Sequence, residues 1–201
     1  MTKEAKIKCY EVFPTLIHEY EFEPSNREEM IEHVLELDNQ GGYKYDRLFE
    51  DKEFEELSKF QLTVCETILQ QYEYEYDSVE YTHMWPNVLG YGSIFNPHRH
   101  RNAILSGTWY LSANPDNNTV LEFYDPRPAA NVFEPTKNLN RYNRATEIFS
   151  SVSNKGLIFP SWMVHWVPQL KTEEQRISIA WNVMVRGQYG QPNSVEQFRI
   201  Q

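Results

Sequence analysis

The spacing of apolar positions changes character once along the chain, near residue 78. Ahead of that point it is mostly helical. In residues 25–37, Val34, Leu35 and Leu37 form a modest apolar stripe behind an acidic first turn, Glu28 and Glu29, with Ser25 or Asn26 placed to cap it. Gly41-Gly42 is a stop signal. From about Asp51 to Tyr72, the residues Leu57, Gln61, Val64, Cys65, Ile68 and Leu69 fall at three- and four-residue steps, as in a helix with one buried face. Glu53, Glu55, Glu56 and Glu66 lie mostly off that stripe and read as a solvated face. Residues 6–22, carrying Ile7, Tyr10, Val12, Phe13, Leu16 and Ile17, read as one or two strands broken at Pro14.

From residue 79 the period shortens. Strands are predicted at Val79–Trp85, Tyr91–Phe95, Ile104–Ser112, Val120–Tyr124, Glu147–Val152, Leu157–Phe159, Met163–Val167 and Arg176–Val185. Turn signals separate them at Asn96-Pro97, Pro115–Asn118, Asn154-Lys155-Gly156 and Lys171–Gln175. Many short strands with little helix between them indicate a β-sandwich or barrel. The segment Pro126–Thr146 has three prolines and no period, and is expected to be a lid beside a functional site. The chain is thus expected to be one domain: residues 1–78 as N-terminal strands and two bracing helices, 79–186 as the β core, and 187–201 as a loosely packed tail.

Composition narrows the function. At 201 residues with 40% hydrophobic and 14% aromatic content, the chain can bury a real core, and its Tyr, Phe and Trp favour strands over a helical bundle. A net charge of −10 argues against a nucleic-acid partner, and His98-Arg99-His100-Arg101 is too short to make a basic stripe. Cys9 and Cys65 match no metal or redox motif and are expected to be buried free thiols. No apolar run approaches the roughly 20 residues of a membrane span, and no apolar stretch behind Met1–Lys6 resembles a signal peptide, so the expected location is the cytoplasm. Oligomeric state is left open, a homodimer included.

Candidate chemistry gathers in three places. His98 and His100 stand two apart where a turn meets a strand, so in extended chain both imidazoles face one side and can meet one ion. His165 follows within Phe159-Pro160-Ser161-Trp162-Met163-Val164-His165. Neutral imidazoles suit divalent iron, manganese or zinc. In Arg176–Val183, Ile177, Ile179 and Trp181 alternate with Arg176, Ser178, Ala180 and Asn182, so one face is apolar and the other offers a cation and a hydroxyl to an anion.

From Trp85 to Asn182 the chain resembles the double-stranded β-helix (a jelly-roll, cupin-like barrel) of the Fe(II)- and 2-oxoglutarate-dependent oxygenases. It is most similar to the prolyl-hydroxylase-like branch and the small oxygenases of bacteria and phages. The matching strings are Asn96–His100, Leu105–Leu111, Leu121–Arg127, Gly156–Trp162 through His165, and Arg176–Asn182. The resemblance implies a mainly β fold with flanking helices, and a dioxygenase using Fe(II), O2 and 2-oxoglutarate as cosubstrate. It implies oxidation of an unidentified prime substrate coupled to decarboxylation of 2-oxoglutarate to succinate. His98 would be the first metal ligand and His165 the distal one. Arg176 and Tyr110 would hold the far carboxylate of 2-oxoglutarate, with Ser178, Asn182 and Asn87 as neighbours. One position departs from the family, which has Asp or Glu two residues after the first histidine where this chain has His100. The third ligand is either His100 itself or Asp125, whose competing role is the turn former of Asp-Pro.

Two other functions compete. A cupin-type metalloprotein would use a three-histidine site, but residues 101–106 lack the glutamate that follows the cupin pair. A non-catalytic β-sandwich would bind a partner through its aromatic surface and take up no iron.

Overall fold

In this computed structural model, residues 7–41, 45–127, 133 and 137–201 are described. The elements run β1 (His18–Glu21), α1 (Arg27–Asn39), α2 (Glu55–Gln71), β2 (Ser78–Leu89), β3 (Phe95–His98), β4 (Leu105–Ser112), β5 (Val120–Tyr124), β6 (Thr146–Ser150), β7 (Lys155–Pro160), β8 (His165–Val167), β9 (Arg176–Tyr189) and β10 (Phe198–Ile200). Two short 3-10 turns, Leu48–Glu50 and Lys52–Phe54, lead into α2.

All the strand pairings are antiparallel. The larger sheet has the order β1-β7-β4-β9, with β2 and β10 also paired to β9; the smaller has the order β3-β8-β5-β6. Two antiparallel sheets closing on each other in this order form the expected double-stranded β-helix.

Alternation along β9 explains how the sheets are covered. Ile177, Ile179, Trp181, Val183 and Val185 join Trp109, Leu111, Met30, Val34, Leu57, Ile68 and Leu69 in one core, so this face of the large sheet is sealed by α1 and α2. Trp109 and Trp181 are fully buried there. Each contributes on the order of 2–3 kcal/mol relative to exposure. A second core lies between the sheets and draws Leu89, Leu157 and Phe159 from one and Leu121, Phe123 and Val167 from the other. Gly107 is needed opposite Trp181 in the large sheet: a Cβ there would sit 2.8 Å from the Leu157 carbonyl oxygen and overlap the Trp181 ring. Pro86 is tolerated inside β2 because β9 is the only strand paired with β2, its other side meeting just the Arg47–Met84 bridge among the described residues.

Several expectations need correction. Among the described residues of 6–22, namely 7–22, only His18–Glu21 is strand, paired with Lys155–Ile158 of β7. Ile7, Tyr10, Val12 and Phe13 are exposed. Residues 91–94 turn rather than extend, with Gly92 at φ 81° and Ser93 N–H donating to the Gly90 carbonyl. The tail is tied to the sheet, since β9 runs to Tyr189 and β10 pairs with its last residues. Cys65 is buried but Cys9 is exposed, and both are free thiols. Asn26 does not cap α1 with its side chain; its Nδ2 donates to the Glu53 carbonyl. Of the expected lid, residues 128–132 and 134–136 lie outside the described residues. Among the described residues no helix is long and apolar enough to cross a membrane.

Candidate metal centre

The pairing of β3 with β8 sets His98 directly opposite His165. His100 lies two residues beyond β3, where its backbone N–H donates to the Ser161 carbonyl at 3.0 Å. The ring centroids stand 4.4 Å apart for His98 and His165, 5.1 Å for His100 and His165, and 5.4 Å for His98 and His100. One nitrogen from each ring lies within 4.8 Å of the other two, so the three could hold a metal ion.

The outer nitrogens are engaged in a way that fixes the rings. His98 Nδ1 is 2.8 Å from the Asn96 carbonyl, His165 Nδ1 is 3.0 Å from that of Met163, and His100 Nδ1 is 2.5 Å from Asn182 Oδ1. Each acceptor calls for a proton on Nδ1 and leaves the Nε2 lone pair free. His98 is exposed, His100 half-buried and His165 only 4% exposed, so the cluster opens outward at His98. Burial pushes the His165 imidazole down to about 3, against the pull of the Met163 carbonyl and helped by the two neighbouring histidines. Burial also lowers His100. Both rings are therefore neutral at pH 7, the form that binds metal.

Asp125 does not join the cluster. Arg127 occupies both its carboxylate oxygens, with Nε 3.0 Å from Oδ1 and an Nη nitrogen 2.9 Å from Oδ2, and the Arg127 backbone N–H adds a bond of 2.9 Å to Oδ1. It is a turn-forming aspartate held by its own arginine.

Deeper between the sheets is a cation without a carboxylate. Arg176 is 3% exposed; its Nε donates to Ser151 Oγ at 2.9 Å and its Cζ lies 4.8 Å from the Tyr110 ring centroid. No acidic side chain among the described residues forms an ion pair with it. The Tyr110 hydroxyl is buried without a partner, as is Oγ1 of Thr119, whose carbonyl accepts from Ser151 N–H. Burying a charge or a hydroxyl unpaired is costly, so this group of donors fits an anion. Asn87, Ser178 and Tyr110 stand level with one another across β2, β9 and β4.

The residue pattern singles out His98, His100, His165, Arg176 and Ser178, and the family resemblance implies Tyr110, Asn182 and Asn87 beside them. The structure brings the three histidines together and sets the other five on the large sheet. Asn182 is engaged with His100. Ser106, Ser151, Ser161 and Thr119 were missed. Ser106 alone left a trace, two and four residues ahead of Thr108 and Tyr110 on the same alternating face.

A cleft of about 570 Å³ is lined by Met163 and by Phe123, whose ring centroid is 5.7 Å from that of His165, but by none of the three histidines. Its outer wall is made by residues 9–17 and 141–147.

Fold and site together define a class: β-helix proteins with convergent imidazoles at the barrel mouth and an unpaired guanidinium within. The chain belongs to the Fe(II)- and 2-oxoglutarate-dependent oxygenases, since residues 83–182 match the family described as "Putative 2OG-Fe(II) oxygenase". It is therefore an enzyme of a family whose cofactors are Fe(II), 2-oxoglutarate and O2. In fold it is similar to a Pseudomonas putida prolyl-4-hydroxylase, at 14% identity and TM-score 0.61, covering 86% of this chain and 89% of that one. It is similar to the viral collagen prolyl hydroxylase of Paramecium Bursaria Chlorella virus-1, solved with 2OG, at 11% identity and TM-score 0.55, over 85% and 96% of the two chains. HygX from Streptomyces hygroscopicus, solved with nickel and 2-oxoglutarate, aligns at 12% identity and TM-score 0.54, over 84% and 81%. No curated protein matches the chain by sequence.

Proposed function

We propose that this enzyme is a non-haem dioxygenase that hydroxylates a prime substrate while 2-oxoglutarate is decarboxylated to succinate, with His98, His100 and His165 as metal ligands and Arg176 and Tyr110 holding the cosubstrate. The observation that carries it is Arg176: a buried guanidinium with no acidic partner, beside an unpartnered tyrosine hydroxyl, in the same barrel as three convergent imidazoles.

Each group has a defined task. Fe(II), when bound, supplies the O2 chemistry that a polypeptide lacks. The carbonyls of Asn96 and Met163 hold His98 and His165 in the tautomer that presents Nε2. Ser151 and the Tyr110 ring fix the guanidinium, so its two remaining nitrogens can fork onto a carboxylate while the Tyr110 hydroxyl donates to the same anion. Ser178 and Asn87 stand level with Tyr110 as further polar neighbours. Phe123 and Phe159, with ring centroids 5.7 and 4.8 Å from that of His165, keep water from the buried side of the centre. Three neutral imidazoles leave a divalent ion with more positive charge than a set containing a carboxylate.

A cupin-type function leaves Arg176 without a purpose, and a non-catalytic module leaves the three free Nε2 atoms without one. The test is anaerobic addition of Fe(II) and 2-oxoglutarate, followed by O2. A visible charge-transfer band that needs both components, then succinate formation, is the expected result. Metal uptake with no response to 2-oxoglutarate would overturn it in favour of the cupin function, and no metal uptake at all would leave only a binding module.

A further inference from the structure

His100 is held by a closed ring of hydrogen bonds that the proposed chemistry does not explain. Its backbone N–H donates to the Ser161 carbonyl at 3.0 Å. Ser161 Oγ lies 2.8 Å from Ser106 Oγ, Ser106 Oγ is 2.6 Å from Asn182 Oδ1, and that oxygen returns to His100 Nδ1 at 2.5 Å. Ser161, Ser106 and Asn182 are 1%, 0% and 7% exposed, so water does not supply substitutes. The strands set the ring up: β4 places Ser106 directly opposite Asn182 on β9.

We infer that Asn182 is a positioning residue for His100, held by Ser106, and not a ligand of the cosubstrate. This rests on His100 being the third metal ligand. The argument is one of proton counting. Ser106 has a single hydroxyl proton and gives it to Asn182 Oδ1, so Ser161 donates to Ser106. An amide oxygen can only accept, so the proton shared with His100 sits on Nδ1 and the Nε2 lone pair faces the other two imidazoles. The amide turned over would donate to Nδ1 instead, put the proton on Nε2 and close the ligand position. With its oxygen facing both Ser106 and His100 Nδ1, Asn182 thus decides whether His100 is a ligand or a spectator. Its neutrality matters as well, because it fixes the ring without adding negative charge beside the metal.

Titration of the metal-free protein with Co(II), followed by the visible cobalt spectrum, tests this without turnover. Asn182→Leu, which keeps the volume and removes the acceptor, is expected to weaken cobalt binding about 10–100-fold and to change the spectrum to that of a centre with one imidazole fewer. Asn182→Asp, which can only accept, is expected to restore wild-type affinity or exceed it, a rescue that a merely structural role would not show. Ser106→Ala removes only a hydroxyl and is expected to cause a smaller loss in the same direction, which keeps the test open if Leu at 182 does not fold. Should His100→Ala weaken binding while Asn182→Leu and Ser106→Ala bind and absorb as wild type, this inference is overturned and the metal site stands. Should His100→Ala itself bind as wild type, or wild type take up no cobalt, the ligand assignment fails and the inference with it.

Discussion

Replacing Arg176 by Met should move stability and cosubstrate binding independently, and that independence is the diagnostic. In the ligand-free fold the guanidinium is buried against the Ser151 hydroxyl and the Tyr110 ring, with no acidic partner among the described residues. Removing an uncompensated buried charge relieves several kcal/mol, while stranding Ser151 Oγ costs about 1–2 kcal/mol. The ligand-free variant should therefore melt no lower than wild type, with Met filling the space under the Tyr110 ring. Binding should respond in the opposite sense. Losing one partner of a buried charge-assisted fork costs about 2–5 kcal/mol, and about 2.7 kcal/mol raises Kd about 100-fold. With manganese(II) in place of iron and 2-oxoglutarate at about 100 times the wild-type Kd, the wild type gains about 2.7 kcal/mol. For a chain of this size that is about 5–11 °C in Tm. The variant at the same concentration should keep about 0.4 kcal/mol, or about 1 °C. Thermal melts with and without 2-oxoglutarate read both effects. If Arg176→Met keeps the full shift, the guanidinium does not hold the cosubstrate.

Three further outcomes are expected. His98→Ala and His165→Ala should each lose more than about 100-fold in cobalt affinity, beyond the range of outer-shell changes, while Asp125→Ala leaves it unchanged; a metal titration that ranks Asp125→Ala as the most damaging would overturn the ligand set. Because burial lowers His165 from 6.5 to about 3, the unfolded chain takes up a proton that the folded one refuses, so metal-free stability should fall by about 1.4 kcal/mol per pH unit between pH 6.5 and 3; denaturant midpoints at pH 7 and 4.5 should show that slope, and His165→Gln should flatten it. Gly107→Ala drives a methyl group against Trp181 and the Leu157 carbonyl and should cost about 1–3 kcal/mol, measured by denaturant melts.

What could be read from the chain was what repeats at short range. Period-two alternation in Arg176–Asn182 and helical spacing in Leu57–Leu69 marked the helix-covered core from its two sides, because burial on one face of an element leaves a periodic trace. The three histidines were legible as residue types, but their meeting depends on β3 lying beside β8, a pairing across sixty-odd residues that no local signal encodes. Asp125 was open for a different reason: its engagement by Arg127 is local, two residues away, but which partner a turn aspartate takes leaves no periodic trace. Ser161 stayed hidden because it lies just past the end of β7, where period-two reasoning stops, and Ser151 because the strand expected over Glu147–Val152 ends at Ser150 and the Ser151 hydroxyl turns to Arg176 on a distant strand. Residues 6–17 misled in the other direction. Their apolar content was real, but Ile7, Tyr10, Val12 and Phe13 are exposed and pair with no strand, and apolar residues without a partner strand do not make one.

The site and its brace share one register along β9. Arg176, Ser178 and Asn182 point inward only while Ile177, Ile179 and Trp181 point out to the helices. A slip of one residue would turn the whole set over, putting Trp181 at the metal and Asn182 against α2. The helical core thus holds the active-site alternation in phase, although neither helix supplies a candidate ligand. Irregularities in the pairing sit where this phase is at stake: β2 breaks step with β9 between Tyr81 and His83, next to Asn182, and β4 breaks step between Tyr110 and Ser112, next to Ser178. Bulges of that kind pin register, since sliding the strand would require the extra residue to move with it. Mutations deep in the helix-covered core, such as at Trp181, should therefore disturb the Asn182 contact to His100 and the Arg176 pocket together, because Asn182 and Arg176 both lie on β9.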